Sequence, residues 1–253
     1  MARPPRRPRK RIALFAIGGG IALAVVAFLI VYFVIFPTSS PKPFKLATTP
    51  TSATPTTSTS TTSSTPRAAT TGSGLTGRWK VAGGSEAGYR VREKLAFLPA
   101  QSDAVGRTSH IGGGATFSES KGTLTIAAAS FEVFVATLKS DRSMRDEKIH
   151  EIGLESSRYP TATFALSTPV TISASALEGK VARVSVTGAF VIHGTSKKET
   201  IPVEMSLSGS TFEAAGSLTF PWGEFGMTAP SIGGFVDVTE KATMEFDLRL
   251  QQG

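Results

Sequence analysis

The chain contains no cysteine anywhere in its 253 residues. Disulfides, thiolate metal sites and a lipid-modified cysteine anchor are therefore all excluded. Histidine is scarce, with three in the whole chain. His110, His150 and His193 stand far apart, so no sequence-local metal or catalytic cluster forms around them. No G-x-S-x-G elbow is present, and the Gly112-Gly113-Gly114 run lacks the Lys-Ser/Thr of a phosphate loop. That run is expected to be a turn between strands. These absences point away from an enzyme and from a resident cofactor or metal.

Acid is missing from the first 72 residues, which carry nine Lys or Arg, whereas residues 73–253 carry 18 Lys or Arg against 19 Asp or Glu. The formal net charge of +8 is thus +9 in the first zone and −1 in the second. The basicity is positional, and nucleic acid is not an expected partner. Charge of either sign is absent from Ile12 to Phe36, 25 residues that follow Arg3, Arg6, Arg7, Arg9, Lys10 and Arg11. About 20 apolar residues span a bilayer core, so residues 12–36 are expected to be a transmembrane helix. The preceding cations predict that residues 1–11 stay cytoplasmic and that the rest lies outside. Bulky Val34, Ile35 and Phe36 end the run where a cleaved signal peptide needs small residues. The expected localisation is therefore a single-pass cell-membrane protein with an extracytoplasmic C-terminal domain.

Residues 37–74 are dominated by Thr, Ser and Pro. So little apolar surface cannot offset the entropy of ordering, and a disordered linker is expected. From about residue 75 to 253 the pattern changes to period two. Ile201, Val203, Met205 and Leu207 alternate with polar residues, as do Met244, Phe246, Leu248 and Leu250. Turn sequences such as Ser208-Gly209-Ser210 separate the runs. The reading is all-β: half-buried antiparallel strands in one domain. Leu124 and Ile126 are even-numbered while Phe131 and Val133 are odd, and Thr187-Gly188 interrupts Val184 and Val186 from Phe190 and Ile192. Phase changes of this kind are expected to be bulges or bends of a closed barrel. Ser140–Leu154 is the single helix candidate, with Ser140 or Asp141 as cap, Gly153 as stop and Met144, Ile149 and Ile152 on one face.

Three blocks carry a family resemblance. Arg145-Asp146 precedes Tyr159-Pro160 and Thr163-Phe164; Val186 to Thr195 reads VTGAFVIHGT, followed by Lys197; and Phe225-Gly226-Met227 stands ahead of the closing strand. In this order they resemble the YceI family of lipocalin-like, polyisoprenoid-binding proteins, over about residues 77–251. The chain departs from that pattern at Gly84-Ser85-Glu86, where the family commonly has Asp-x-x-His-Ser, and at Glu224, where Asp is usual. The resemblance implies an eight-stranded antiparallel barrel with one short helix near one end, binding an isoprenoid lipid or quinone. Expected ligand contacts are Phe131, Val133, Phe164, Phe190, Ile192, Phe212, Phe220, Phe225 and Phe246 from the interior, with Arg145 and Asp146 at the mouth. Arg145-Asp146 equally fits an ion pair or cap holding the helix on the rim. A different class also stands open, an envelope interaction module with a solidly packed barrel. Nothing in the sequence sets an oligomeric state.

Overall fold

The computed structural model describes residues 40–46, 74–95, 101–177, 179–232 and 236–253. Two compact units are present, Met1–Pro41 and Lys42–Gly253. All described residues except Ser40 and Pro41 belong to the second. The expected membrane span at 12–36 and most of the expected linker lie outside the described residues. Among the described residues no helix is long and apolar enough to cross a membrane.

The second unit is a closed eight-stranded antiparallel barrel assembled from twelve strand segments. β1 (Gly77–Val81) and β2 (Glu86–Leu95) are halves of one bent strand; β3 (Gln101–Thr108) and β4 (Ile111–Ser120) are halves of the next. β5 (Thr123–Val133) pairs with β6 (Ala162–Leu166) at one end and β7 (Val170–Ser173) at the other. β8 (Ala182–Ile192), β9 (Thr195–Ser208) and β10 (Thr211–Pro221) continue as a meander. The short β11 (Ser231–Ile232) pairs with β12 (Val236–Gln252), which closes the ring. Its Leu250 to Gln252 end pairs with β1, and its Val236 to Asp247 stretch pairs with β2. At the corner between β1 and β2, the Ser85 hydroxyl accepts from Arg249 N at 2.9 Å and donates to Ala82 O at 2.9 Å. The buried hydroxyl thus satisfies backbone groups that the bend takes out of the ladder.

The two expected phase changes have different outcomes. In β5, Thr116 pairs with Ala128 and Phe117 with Ile126, so Ala127 is an extra residue. This bulge turns the inward set from Leu124 and Ile126 to Ala129, Phe131 and Val133. β8 has no such shift: Val186, Gly188, Phe190 and Ile192 are all buried in unbroken alternation. Gly188 is required there by packing. A Cβ would stand 2.3 Å from Phe164 Cζ and 2.4 Å from the Ala165 carbonyl. The Gly112-Gly113-Gly114 run is not a turn either; it lies within β4. Gly113 has φ of 108°, and Cβ atoms at Gly113 and Gly114 would meet Ser130 O at 2.1 Å and Trp79 O at 2.0 Å. The glycines let β4 press against both neighbours where the strand bends.

The outer wall of β2, β3 and β12 is laced by charge. Glu245 accepts from Arg90 Nε and Nη2, each at 3.2 Å, and from Arg107 Nη2 at 3.2 Å. Its side chain is 2% exposed, so this pairing is what makes a buried carboxylate tolerable. Asp247, two residues on, has its pKa raised, first by burial and then by Glu213 and Glu86, while Arg249 and Arg107 oppose the shift.

Gly188→Ala is expected to lower stability by about 1–3 kcal/mol through overpacking, read as a lower urea midpoint with unchanged slope. For Asp247, the folded state holds a proton more tightly than the unfolded chain, so stability falls as pH rises through that window. Asp247→Asn is therefore expected to be more stable than the parent at neutral pH. The difference vanishes below the ordinary carboxylate pKa, and thermal melts across pH check it.

Candidate functional site

Side chains at the two ends of the barrel close it differently. At one end Trp79 stacks on Phe117 with centroids 5.3 Å apart, and Phe212 packs edge to face against Phe117 at 4.8 Å. Buried Leu124, Leu177 and Leu250 complete that floor. At the other end Phe190, Phe220 and Phe225 pack edge to face or tilted, with centroids 4.7 to 6.0 Å apart. Leu138, Ile149, Leu154 and Trp222 cover them. Between the two clusters lies a cavity of about 130 Å³, on the order of ten times what a single water needs.

The cavity wall is almost wholly apolar. Among the described residues, Thr163 and Glu245 are the only polar ones along it, and the Glu245 carboxylate is committed to Arg90 and Arg107 on the outer side. Among the expected contacts, Phe131, Val133, Phe164, Phe190, Phe212 and Phe246 line the cavity. Ile192, Phe220 and Phe225 lie in the lid-end cluster instead. Residues not singled out in advance, including Ala115, Ala129 and Ala214, also line it. Their small size creates the space, and only the interior parity of their strands marks them in the sequence.

Arg145 and Asp146 do not line this cavity. They sit on the lid helix α1 (Ser143–Lys148), which continues through a π-helical turn at Ile149–Gly153. The Arg145 guanidinium grips Glu93 of β2 in a fork, Nε to Oε1 at 2.9 Å and Nη2 to Oε2 at 3.0 Å, and also bonds Asp141. Asp146 Oδ1 accepts from Ser140 N at 2.8 Å, reaching back over the helix start. Ser140 and Asp141 are not themselves the N-cap; that position is Arg142, with no side-chain cap. On the expected apolar face, Ile149 alone is buried, whereas Met144 and Ile152 are exposed.

His150 is held rather than solvated. Nε2 donates to Leu138 O at 2.9 Å, and Nδ1 is hydrogen-bonded to the Ser156 hydroxyl at 2.9 Å. Beneath the helix, the buried Tyr89 hydroxyl faces Ser140, Arg145 and Asp146 without a hydrogen bond of ordinary geometry. Burial pushes its pKa up, against the pull of Arg145. The phenol stays neutral and acts here as a packing element.

The motif blocks meet in space. The Tyr159 ring packs against His193 at a tilt of 52°, with centroids 4.3 Å apart. His193 and Gly194 form the two-residue turn between β8 and β9, both with positive φ (52° and 71°). A Cβ on Gly194 would stand 2.8 Å from the Tyr159 ring. Thr195 Oγ1 donates to Phe225 O at 3.2 Å, and Gly226 turns left-handed at φ 69° to release the chain. Tyr159-Pro160, His193-Gly194-Thr195 and Phe225-Gly226-Met227 therefore build one closure at the lid end.

Arg145→Ala strands Glu93 beneath the helix, and a loss of about 2–3 kcal/mol is expected, less than for a fully buried pair. The double variant Arg145→Met/Glu93→Leu is expected to recover most of it, because no unpaired charge remains. Urea unfolding of the three proteins checks both statements. A double variant no better than Arg145→Ala would assign the arginine a role beyond holding the helix.

A family model for the YceI-like domain matches residues 79–250. No curated protein matches the sequence. Among solved structures, a polyisoprenoid-binding domain from Saccharophagus degradans, implicated in plant cell wall breakdown, is similar at TM-score 0.52 and 14% identity. It covers 69% of this chain and 98% of that one. Burkholderia cenocepacia BcnA is 20% identical at TM-score 0.46, over 64% of this chain and 95% of its own. The Campylobacter jejuni YceI protein is 13% identical at TM-score 0.46, over 58% and 84%. At such identities the structural likeness speaks to fold alone, whereas the family model spans the whole barrel: the chain belongs to the YceI-like domain family.

Proposed function

We propose that this protein is a membrane-tethered, extracytoplasmic binding protein that holds the chain of an isoprenoid lipid, a quinone or polyprenol, inside its barrel. The observation that carries this reading is the cavity between the two aromatic clusters, apolar except at Thr163 and Glu245. Such a wall offers a polar head group almost nothing and a hydrocarbon chain a great deal. Burial is worth about 0.8 kcal/mol per CH₂, so each five-carbon isoprene unit gains on the order of 3–4 kcal/mol. A barrel of this strand number is the size at which the interior either fills or holds one small ligand. The cavity argues against the solidly packed scaffold module.

Family membership supports the ligand class, since the related S. degradans domain is described as polyisoprenoid-binding. The uncharged run at 12–36 behind six cations supports the tether and the extracytoplasmic side. No role as an enzyme is proposed: two of the three histidines, His150 and His193, are engaged in packing and turn contacts.

The test is lipid extraction from the full chain purified in mild detergent, with mass spectrometry of what remains bound. A stoichiometric isoprenoid is expected. Ala129→Phe, which projects a ring into the cavity from β5, is expected to reduce it at least tenfold while the protein stays folded. A parent that purifies empty and takes up neither quinone nor polyprenol would sink the proposal.

A further inference from the structure

Residues Lys42 to Leu46, read KPFKL, lie without helix or strand against the outer wall of the barrel. Arg107 of β3 donates from Nη2 to Lys42 O at 2.7 Å. Its guanidinium carbon also sits 3.9 Å from the centroid of the Phe44 ring, well within cation–π range. Leu46 N donates to Glu204 Oε2 of β9 at 3.1 Å. β3 and β9 are separated by β2, β12 and β10, so five residues reach across the wall rather than along one strand.

The wall is suited to this segment. Glu204, Ala215, Asp247 and Glu86 form one transverse row on β9, β10, β12 and β2. Ala215 points outward, between the inward Ala214 and Gly216, yet is 2% exposed. In the segment, Pro43 presets extended backbone and lowers the entropy lost on docking. Phe44 and Leu46 are the only large apolar residues between Pro37 and Gly74.

We propose that Lys42–Leu46 is a clasp that docks on the outer wall of its own barrel and gives the protein two tether lengths. Docked, only Pro37–Pro41 separates the uncharged run from the barrel, at most about 17 Å of extended chain. Released, the whole of 37–74 intervenes, roughly 35 Å as a coil and on the order of 100 Å when extended. The clasp itself is independent of the lipid reading. Its consequence for reach rests on 12–36 being the membrane anchor.

The chain supplies its own test. Trypsin can cut after Lys45, inside the clasp, and after Arg67, outside it, while Pro43 protects Lys42. In the full-length protein, in membranes and in detergent, cleavage after Lys45 is expected to be at least tenfold slower than after Arg67. Phe44→Ser, which leaves the barrel and the distance to the uncharged run untouched, is expected to erase that difference in both settings. Equal rates in the parent overturn the clasp. Protection that persists in Phe44→Ser overturns it as well, because nearness to the bilayer then explains the slow cut. Protection lost on dilution in detergent overturns docking in cis in favour of docking between copies.

Discussion

The pairing of β12 with both halves of the bent first strand converts a sheet into an enclosure. One end of β12 meets β1 and the remainder meets β2, with Ser85 joining the two registers through the Arg249 amide and the Ala82 carbonyl. Without this seam the sheet has two open edges and both aromatic clusters lose a wall, because Leu250 belongs to the floor and Ala242 to the lid end. A cavity with so largely apolar a wall exists only inside a closed ring. In a chain with no cysteine, nothing covalent substitutes for that closure.

The lid end shows what the motif residues do. Tyr159, His193, Gly194, Thr195, Phe225 and Gly226 come from three distant blocks and meet one another, away from the cavity wall. Arg145 and Asp146 tie the helix to β2 and to its own start. Many of the residues by which the family is recognised therefore close the barrel. Thr163, Phe164, Val186 and Phe190 of the motif blocks do reach the cavity wall, but most of that wall is built from alanines, valines and other apolar residues at inward positions outside the blocks. This division follows from chemistry: a tight turn or a fork-shaped ion pair tolerates few residue types, whereas a greasy wall tolerates many.

Much of the barrel was legible from alternation. The runs at 201–207 and 244–250 are strands with the expected faces inward, because a half-buried strand must alternate. The bulge in β5 was legible as a change of parity. Gly188 was not, since a glycine written as a bend is indistinguishable in sequence from one that makes room for a ring. The same holds for the glycines of β4, which accommodate neighbouring carbonyls rather than reverse the chain. Of the anticipated cavity residues, Phe131, Val133, Phe164, Phe190, Phe212 and Phe246 line it, while Ile192, Phe220 and Phe225 lie nearer the lid. Position along the barrel axis depends on register and shear, which parity does not encode.

By itself the sequence determined the all-β class, the inward faces, the place of the lid helix and, through three motif blocks, the family. These rest on local rules, period and turn chemistry, that act within a few residues. Tertiary structure decided the closing register, the survival of a cavity between two aromatic clusters, the burial of Glu245 under Arg90 and Arg107, and the docking of Lys42–Leu46 on the outer wall. Each of these depends on residues far apart in the chain, 65 positions for Arg107 and Lys42 and 158 for Leu46 and Glu204. Such partners are brought together only once the ring has closed.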